Sequence, residues 1–215
     1  MIDWNNEVGK LLDFEKSNYH RFEKLASFQK VDEQTILLNL YTHTGRLVYI
    51  QLNIYADDVV RLRCSTEPIE DTSSLMVVKD NWEGCCYSVS DEDNLLVIST
   101  SELQVIIEKN PWRFKITDIQ GCDLFVEDRK DTHTFSSAVD PRFMSYPFGF
   151  VEDDKGTHFT GAFSIQPDEG FYGFGEKFTS INKRGQILRS FNKFSVTCEE
   201  GWNKCVPFFM SSRGY

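Results

Sequence analysis

The sequence predicts an all-β fold, an antiparallel β-sandwich. Three observations predict it. Apolar residues from about residue 34 onward recur with period two in short runs. Glycines and an Asn-Pro pair punctuate those runs at short intervals, where chain reversals are needed. Phenylalanine occurs 18 times, and flat side chains suit a wide core between two sheets.

Residues 7–28 hold Val8, Leu11, Leu12, Phe14, Phe22 and Leu25 in a ragged stripe of roughly helical spacing. That stripe predicts a short N-terminal helix, so residues 1–33 are read as a partly helical segment ahead of a sandwich domain at 34–215. "TILLNLYT" and "RLVYIQLNIY" flank the Gly45 turn. In the second run Val48, Ile50, Leu52 and Ile54 share one face, and Tyr49, Gln51, Asn53 and Tyr55 share the other. "DVVRLRC" turns Val60, Leu62 and Cys64 inward and Arg61 and Arg63 outward. "ELQVIIE" and "WRFKITD" flank "KNP" and predict a hairpin, with Leu103, Val105 and Ile107 on one arm and Trp112, Phe114 and Ile116 on the other. "GCDLFVED" and "THFTGAFSI" read as further strands. Residues 128–158 are polar and rich in turn formers, and read as a long loop with short strands. "SDEDN" and "EDRKD" are charge runs explained by solvated turns.

The net charge of −10 repels phosphate backbones and anionic lipid surfaces, so the sequence predicts neither a nucleic-acid nor a membrane partner. The amino terminus carries no basic stretch followed by an apolar run, unlike a secretory leader. The six cysteines form no C-x-x-C pair and no zinc spacing with the four histidines. Free thiols and a cytoplasmic location are the expectation. No metal or organic cofactor is called for.

Residues 170–186, "GFYGFGEKFTSINKRGQ", concentrate glycines, aromatics and one carboxylate. The order G-x-x-G-x-G is neither that of a dinucleotide fold nor that of a phosphate loop, and no βαβ pattern surrounds it. Gly173 and Gly175 fit a tight turn that requires positive φ or close backbone approach. Glu176 is the only acid inside the cluster. It reads either as a carboxylate raised by aromatic neighbours or as a turn cap and partner for Lys177, Lys183 or Arg184. No second acid is nominated by spacing for glycosidase chemistry.

The run "YGFGEKFTSINKRGQ", then "FNK", then "VPFFMSSRGY" resembles the end of the N-terminal β-sandwich of glycoside hydrolase family 31, the α-glucosidase and α-xylosidase family. The family pattern is Y-G-x-G-E-[RK]-F, then R-G-Q, W-N-x-D and [IV]-P-F-x-x-[ST]-x-R-G-Y-G. The match is close over residues 171–215. The resemblance implies a sandwich of the galactose-mutarotase-like type, the supersandwich. It also implies a retaining α-glycosidase whose nucleophile and acid/base both sit on a (β/α)8 barrel expected after residue 215. The portion in hand then carries no catalytic residue and hydrolyses nothing by itself. Carbohydrate is the substrate of the parent, and the barrel is the partner.

The W-N-x-D motif borders the active site in the family. It matches Phe191, Asn192, Lys193 and Phe194 here, which are also readable as plain packing residues. The departure of the Asp to Phe194 implies a more apolar or differently shaped aglycone site. Gly173, Gly175, Glu176, Arg184 and Arg213 match structural or domain-interface positions. A stand-alone carbohydrate-binding module is an alternative reading. A mutarotase using His158 and Glu176 is another, on fold analogy alone. An exposed barrel-facing surface predicts self-association of the isolated chain.

Overall fold

The computed structural model describes residues 19–70, 82–128, 146–153, 156–177, 179–186, 188, 190 and 204–215. Within them the chain forms thirteen strands, all paired antiparallel. It divides into two compact units, Met1–Ser164 and Ile165–Tyr215.

The first unit is the sandwich. One sheet has the order β11-β10-β1-β2-β3-β4, with β1 at Tyr19–Lys30, β2 at Thr35–Thr42, β3 at Leu47–Ala56, β4 at Val59–Ser65, β10 at Gly149–Asp153 and β11 at Gly156–Thr160. The other runs β5-β6-β7-β8-β9, with β5 at Ser88–Glu92, β6 at Leu95–Ser99, β7 at Leu103–Lys109, β8 at Trp112–Asp118 and β9 at Asp123–Val126. Alternation puts Val48, Ile50, Leu52 and Ile54 of β3 fully inside, where they meet Leu96, Ile98, Val105, Ile107, Trp112 and Phe114 of the opposing sheet. Phe22 packs edge-on to Trp112 at 6.4 Å between centroids and stacks with Phe148 at 6.3 Å.

The expected β7–β8 hairpin forms around Asn110–Pro111, with Lys109 facing Trp112. Cys64, Val60 and Leu62 pack against the core. Asn53, expected outside, is buried and donates its amide to Thr35 Oγ1 at 3.0 Å, its neighbour across the ladder.

The N-terminal helix is corrected over residues 19–28, which are strand; residues 7–18 lie outside the described residues. β1 sits inside the sheet between β10 and β2, so the sandwich begins before residue 34. Two register shifts against β2 explain the misleading stripe, one between Phe22 and Lys24 and one between Leu25 and Ser27. Each bulge inserts a residue and resets the pleat. Phe22, Leu25 and Phe28, three apart, therefore all meet the core, as they would on a helix.

A buried carboxylate joins the two sheets. Glu127 is 2% exposed. Its Oε2 accepts the Phe114 N–H of β8 at 3.0 Å, and its Oε1 accepts the Phe148 N–H just before β10 at 2.9 Å. Burial pushes its pKa up to about 7; the two backbone donors, then Arg113 and Arg21, act in the opposite direction.

Candidate functional site

The second unit is built on a short ribbon of β12 (Phe171–Gly173) and β13 (Phe209–Ser211). The ribbon continues past the named strands. Phe174 donates its N–H to the Phe208 carbonyl at 2.7 Å, and Glu176 to the Lys204 carbonyl at 3.0 Å. Gly173, Phe174 and Gly175 all have positive φ. The glycines are required here. A Cβ on Gly173 would stand 2.6 Å from the Phe208 carbonyl oxygen, and one on Gly175 only 1.9 Å from that of Lys204. Phe174 accepts the left-handed conformation between them and stacks on Phe209 at 5.3 Å. The glycine-aromatic motif is thus a main-chain crossing.

The chemical centre of this unit is Glu169, 1% exposed, which sequence reasoning passed over. Its Oε1 accepts the hydroxyls of Ser211 and Tyr215, and its Oε2 accepts the Gln166 N–H at 3.0 Å. Burial by itself would raise its pKa. The hydrogen bonds from Ser211, Tyr215 and Gln166 and the charge of Arg213 outweigh that, and the net shift is downward. The acid is an anion held in place by donors. Ser211 and Tyr215 stand in the "SSRGY" run, so half of the cluster lay within a motif already singled out.

Arg184 donates through Nη1 to the carbonyls of Gln166 and Glu169, each at 2.6 Å. Asn182 Oδ1 accepts the N–H groups of Phe171 at 3.2 Å and Arg184 at 3.0 Å. Lys183, 7% exposed, donates to the Ser180 carbonyl at 2.6 Å and to Thr179 Oγ1 at 3.0 Å. "INKRGQ" therefore wraps the ribbon's start by backbone-directed bonds. Glu176 lies on the surface, its nearest cation Lys204 at 3.6 Å. Arg213 N–H donates to Ser211 Oγ at 3.1 Å, and its charge acts on Glu169. Phe191, Asn192 and Phe194 lie outside the described residues. His158, in the first unit, bonds Asp153 Oδ1 at 3.0 Å.

Chemically, the arrangement offers a closed clamp. Every oxygen of Glu169 is engaged and the group is shut from solvent, so it has no face for a sugar. Cys64 is likewise inert: burial pushes its thiol up to about 12.

The chain is an all-β protein whose buried acids Glu127 and Glu169, among the described residues, are each held by hydrogen-bond donors. The comparisons with known proteins name it. The chain belongs to the glycosyl hydrolase 31 N-terminal galactose mutarotase-like domain family, matched over residues 49–215. It is 29% identical over 199 residues to an isomaltosyltransferase from Sporosarcina globispora, covering 90% of this chain and 17% of that protein. It is 38% identical over 63 residues to an alpha-xylosidase from Lactiplantibacillus pentosus, covering 29% and 8% respectively. Among solved structures, a cycloalternan-forming enzyme from Listeria monocytogenes in complex with a pentasaccharide substrate superposes with a TM-score of 0.63 at 21% identity, over 90% of this chain and 17% of that one. The chain therefore spans about a sixth of the length of the first of these relatives.

Proposed function

We propose that the chain is the non-catalytic N-terminal domain of a retaining α-glycosidase, packing on a catalytic barrel and shaping its substrate entrance. Family membership over residues 49–215 supports this reading. The observation that carries it is Glu169: the buried acid of the motif region is consumed by Ser211, Tyr215 and Gln166, so the motif holds a fold together and performs no proton transfer. In the parent, one barrel carboxylate attacks the anomeric carbon and a second protonates the leaving oxygen.

The exposed Ile181, Phe208 and Met210 of the second unit are the apolar surface offered to the barrel. The W-N-x-D resemblance alone assigns Phe191, Asn192 and Phe194, which lie outside the described residues, to the rim of that entrance. A cytoplasmic location fits the free thiols at Cys64, Cys85, Cys86, Cys122 and Cys205.

The test is covalent trapping of the full-length protein with a fluorinated glycosyl fluoride. The expected result is a glycosylated peptide lying outside residues 1–215. A label on Glu169, Glu176 or any other residue of this chain refutes the reading.

A further inference from the structure

We propose that Lys177 and Cys205 form an oxidatively closed lysine–cysteine crosslink, a covalent N–O–S bridge. The Lys177 Nζ lies 3.0 Å from the Cys205 Sγ, and the pair is partly buried. This proximity is imposed by the main chain. The Glu176 N–H bond to the Lys204 carbonyl fixes the two backbones side by side one residue before each partner. Gly175, without a side chain, lets residues 204–206 press against it. The amine and the thiol need no search for one another, so the ordering cost of the reaction is already met by the fold.

The oxidant is a peroxide. The net step takes the Lys177 ammonium, the Cys205 thiol and two molecules of hydrogen peroxide. It gives the bridged pair, three molecules of water and one proton. Sulfur and nitrogen each lose two electrons, and the two peroxides accept all four. An S–O and an N–O bond form, while the S–H bond, two N–H bonds (one of them that of the ammonium proton) and the O–O bonds of both peroxides break. The first stage is ordinary thiol oxidation to the sulfenic level, which condenses readily with a neighbouring nucleophile and is reversible by thiols. The second peroxide oxidises the neighbouring Lys177 amine, as its free base, to the hydroxylamine, whose oxygen attacks the sulfenic sulfur and expels water; direct attack by the amine nitrogen would leave an S–N bond without the oxygen. The product ties together two positions 28 residues apart and staples the ribbon whose crossing Gly175 makes possible. This inference concerns the second unit alone and stands whether or not the glycosidase reading does.

The experiment is a peptide map of the full-length protein, purified in dithiothreitol, desalted and treated with dilute hydrogen peroxide. The expected result is one species joining the peptides of Lys177 and Cys205, heavier than their sum by one oxygen less two hydrogens. It returns to separate peptides on reduction and is lost in K177R and in C205S. The wild-type map decides the matter even if either variant fails to fold. Cys205 recovered as sulfenic or sulfinic acid beside an unmodified Lys177, as a disulfide with another cysteine, or as an unreacted thiol overturns the proposal. So does a crosslink that persists in K177R.

Discussion

The Ser211 hydroxyl donates to the buried Glu169 carboxylate across 42 residues of sequence, and Tyr215 donates to the same oxygen. The bond joins a residue two positions ahead of β12 to the last residue of β13. Its loss leaves a buried acid short of a donor, which costs more than an ordinary hydrogen bond contributes. Ser211→Ala is expected to lower the stability of the second unit by about 1–3 kcal/mol. Amide hydrogen exchange at Phe171 and Ser211 reads this directly. Unchanged protection there contradicts the clamp.

The same acid sets an acid limit. Its folded pKa lies below the ordinary value of 4.5. A depressed carboxylate stabilises above its unfolded pKa, and that contribution is lost as pH falls through the folded pKa. Protection of the β12–β13 amides is therefore expected to hold from neutrality down to about pH 5 and to fall below it. In Glu169→Gln the acid-induced fall is expected to shrink.

Glu127 acts with the opposite sign. Its folded pKa of about 7 exceeds the ordinary 4.5, so the folded sandwich binds the proton more tightly than the unfolded chain does. Stability is greatest below pH 4.5 as far as this group is concerned, and falls as pH rises toward 7, by about 3 kcal/mol at most. Urea unfolding of the sandwich at pH 5 and pH 8 is expected to show a slope that Glu127→Gln flattens. An identical slope in the variant contradicts the assignment.

Glycine is needed at two kinds of position, and they are separable. Gly175→Ala places a methyl group 1.9 Å from a carbonyl oxygen that cannot retreat. Gly185 also has positive φ, but a Cβ there meets nothing within 4 Å. Gly185→Ala is expected to cost about 1 kcal/mol of backbone strain. Gly175→Ala is expected to exceed that by at least about 2 kcal/mol and to expose the ribbon to proteolysis. Equal sensitivity of the two variants to limited proteolysis tells against the crossing.

Much of the sandwich was legible because the apolar residues of several strands recur with period two. β3 and the β7–β8 hairpin place their apolar residues where a period of two puts them. β1 was not legible, because two bulges convert that period into a spacing of three. β5 was hidden for another reason: "SVSDE" is exposed at every position, so it has no apolar face to announce it. Its strand exists through pairing with β6 alone. In the motif region, the glycines could be read locally because backbone conformation is a local demand. The carboxylate could not. Glu176 stands inside the motif and faces solvent, whereas Glu169 stands just ahead of it and finds its hydroxyl donors, Ser211 and Tyr215, only when the chain returns through β13.

The exposed apolar residues of the second unit lead to an expectation for the isolated chain. Phe208 is 58% exposed and Met210 54%. The 215-residue chain is expected to associate with itself as concentration rises, and Phe208→Ser with Met210→Ser is expected to weaken that association several-fold. Sedimentation velocity distinguishes this from a chain that stays monomeric at every concentration.

The central claim is that these residues scaffold a sugar-processing enzyme without performing its chemistry. Turnover of aryl α-glucosides and α-xylosides by the purified 215-residue chain, set beside the full-length protein, tests it most directly. Activity is expected in the full-length protein and none in the chain alone. Turnover by the chain that disappears on mutation of one of its own carboxylates would contradict it.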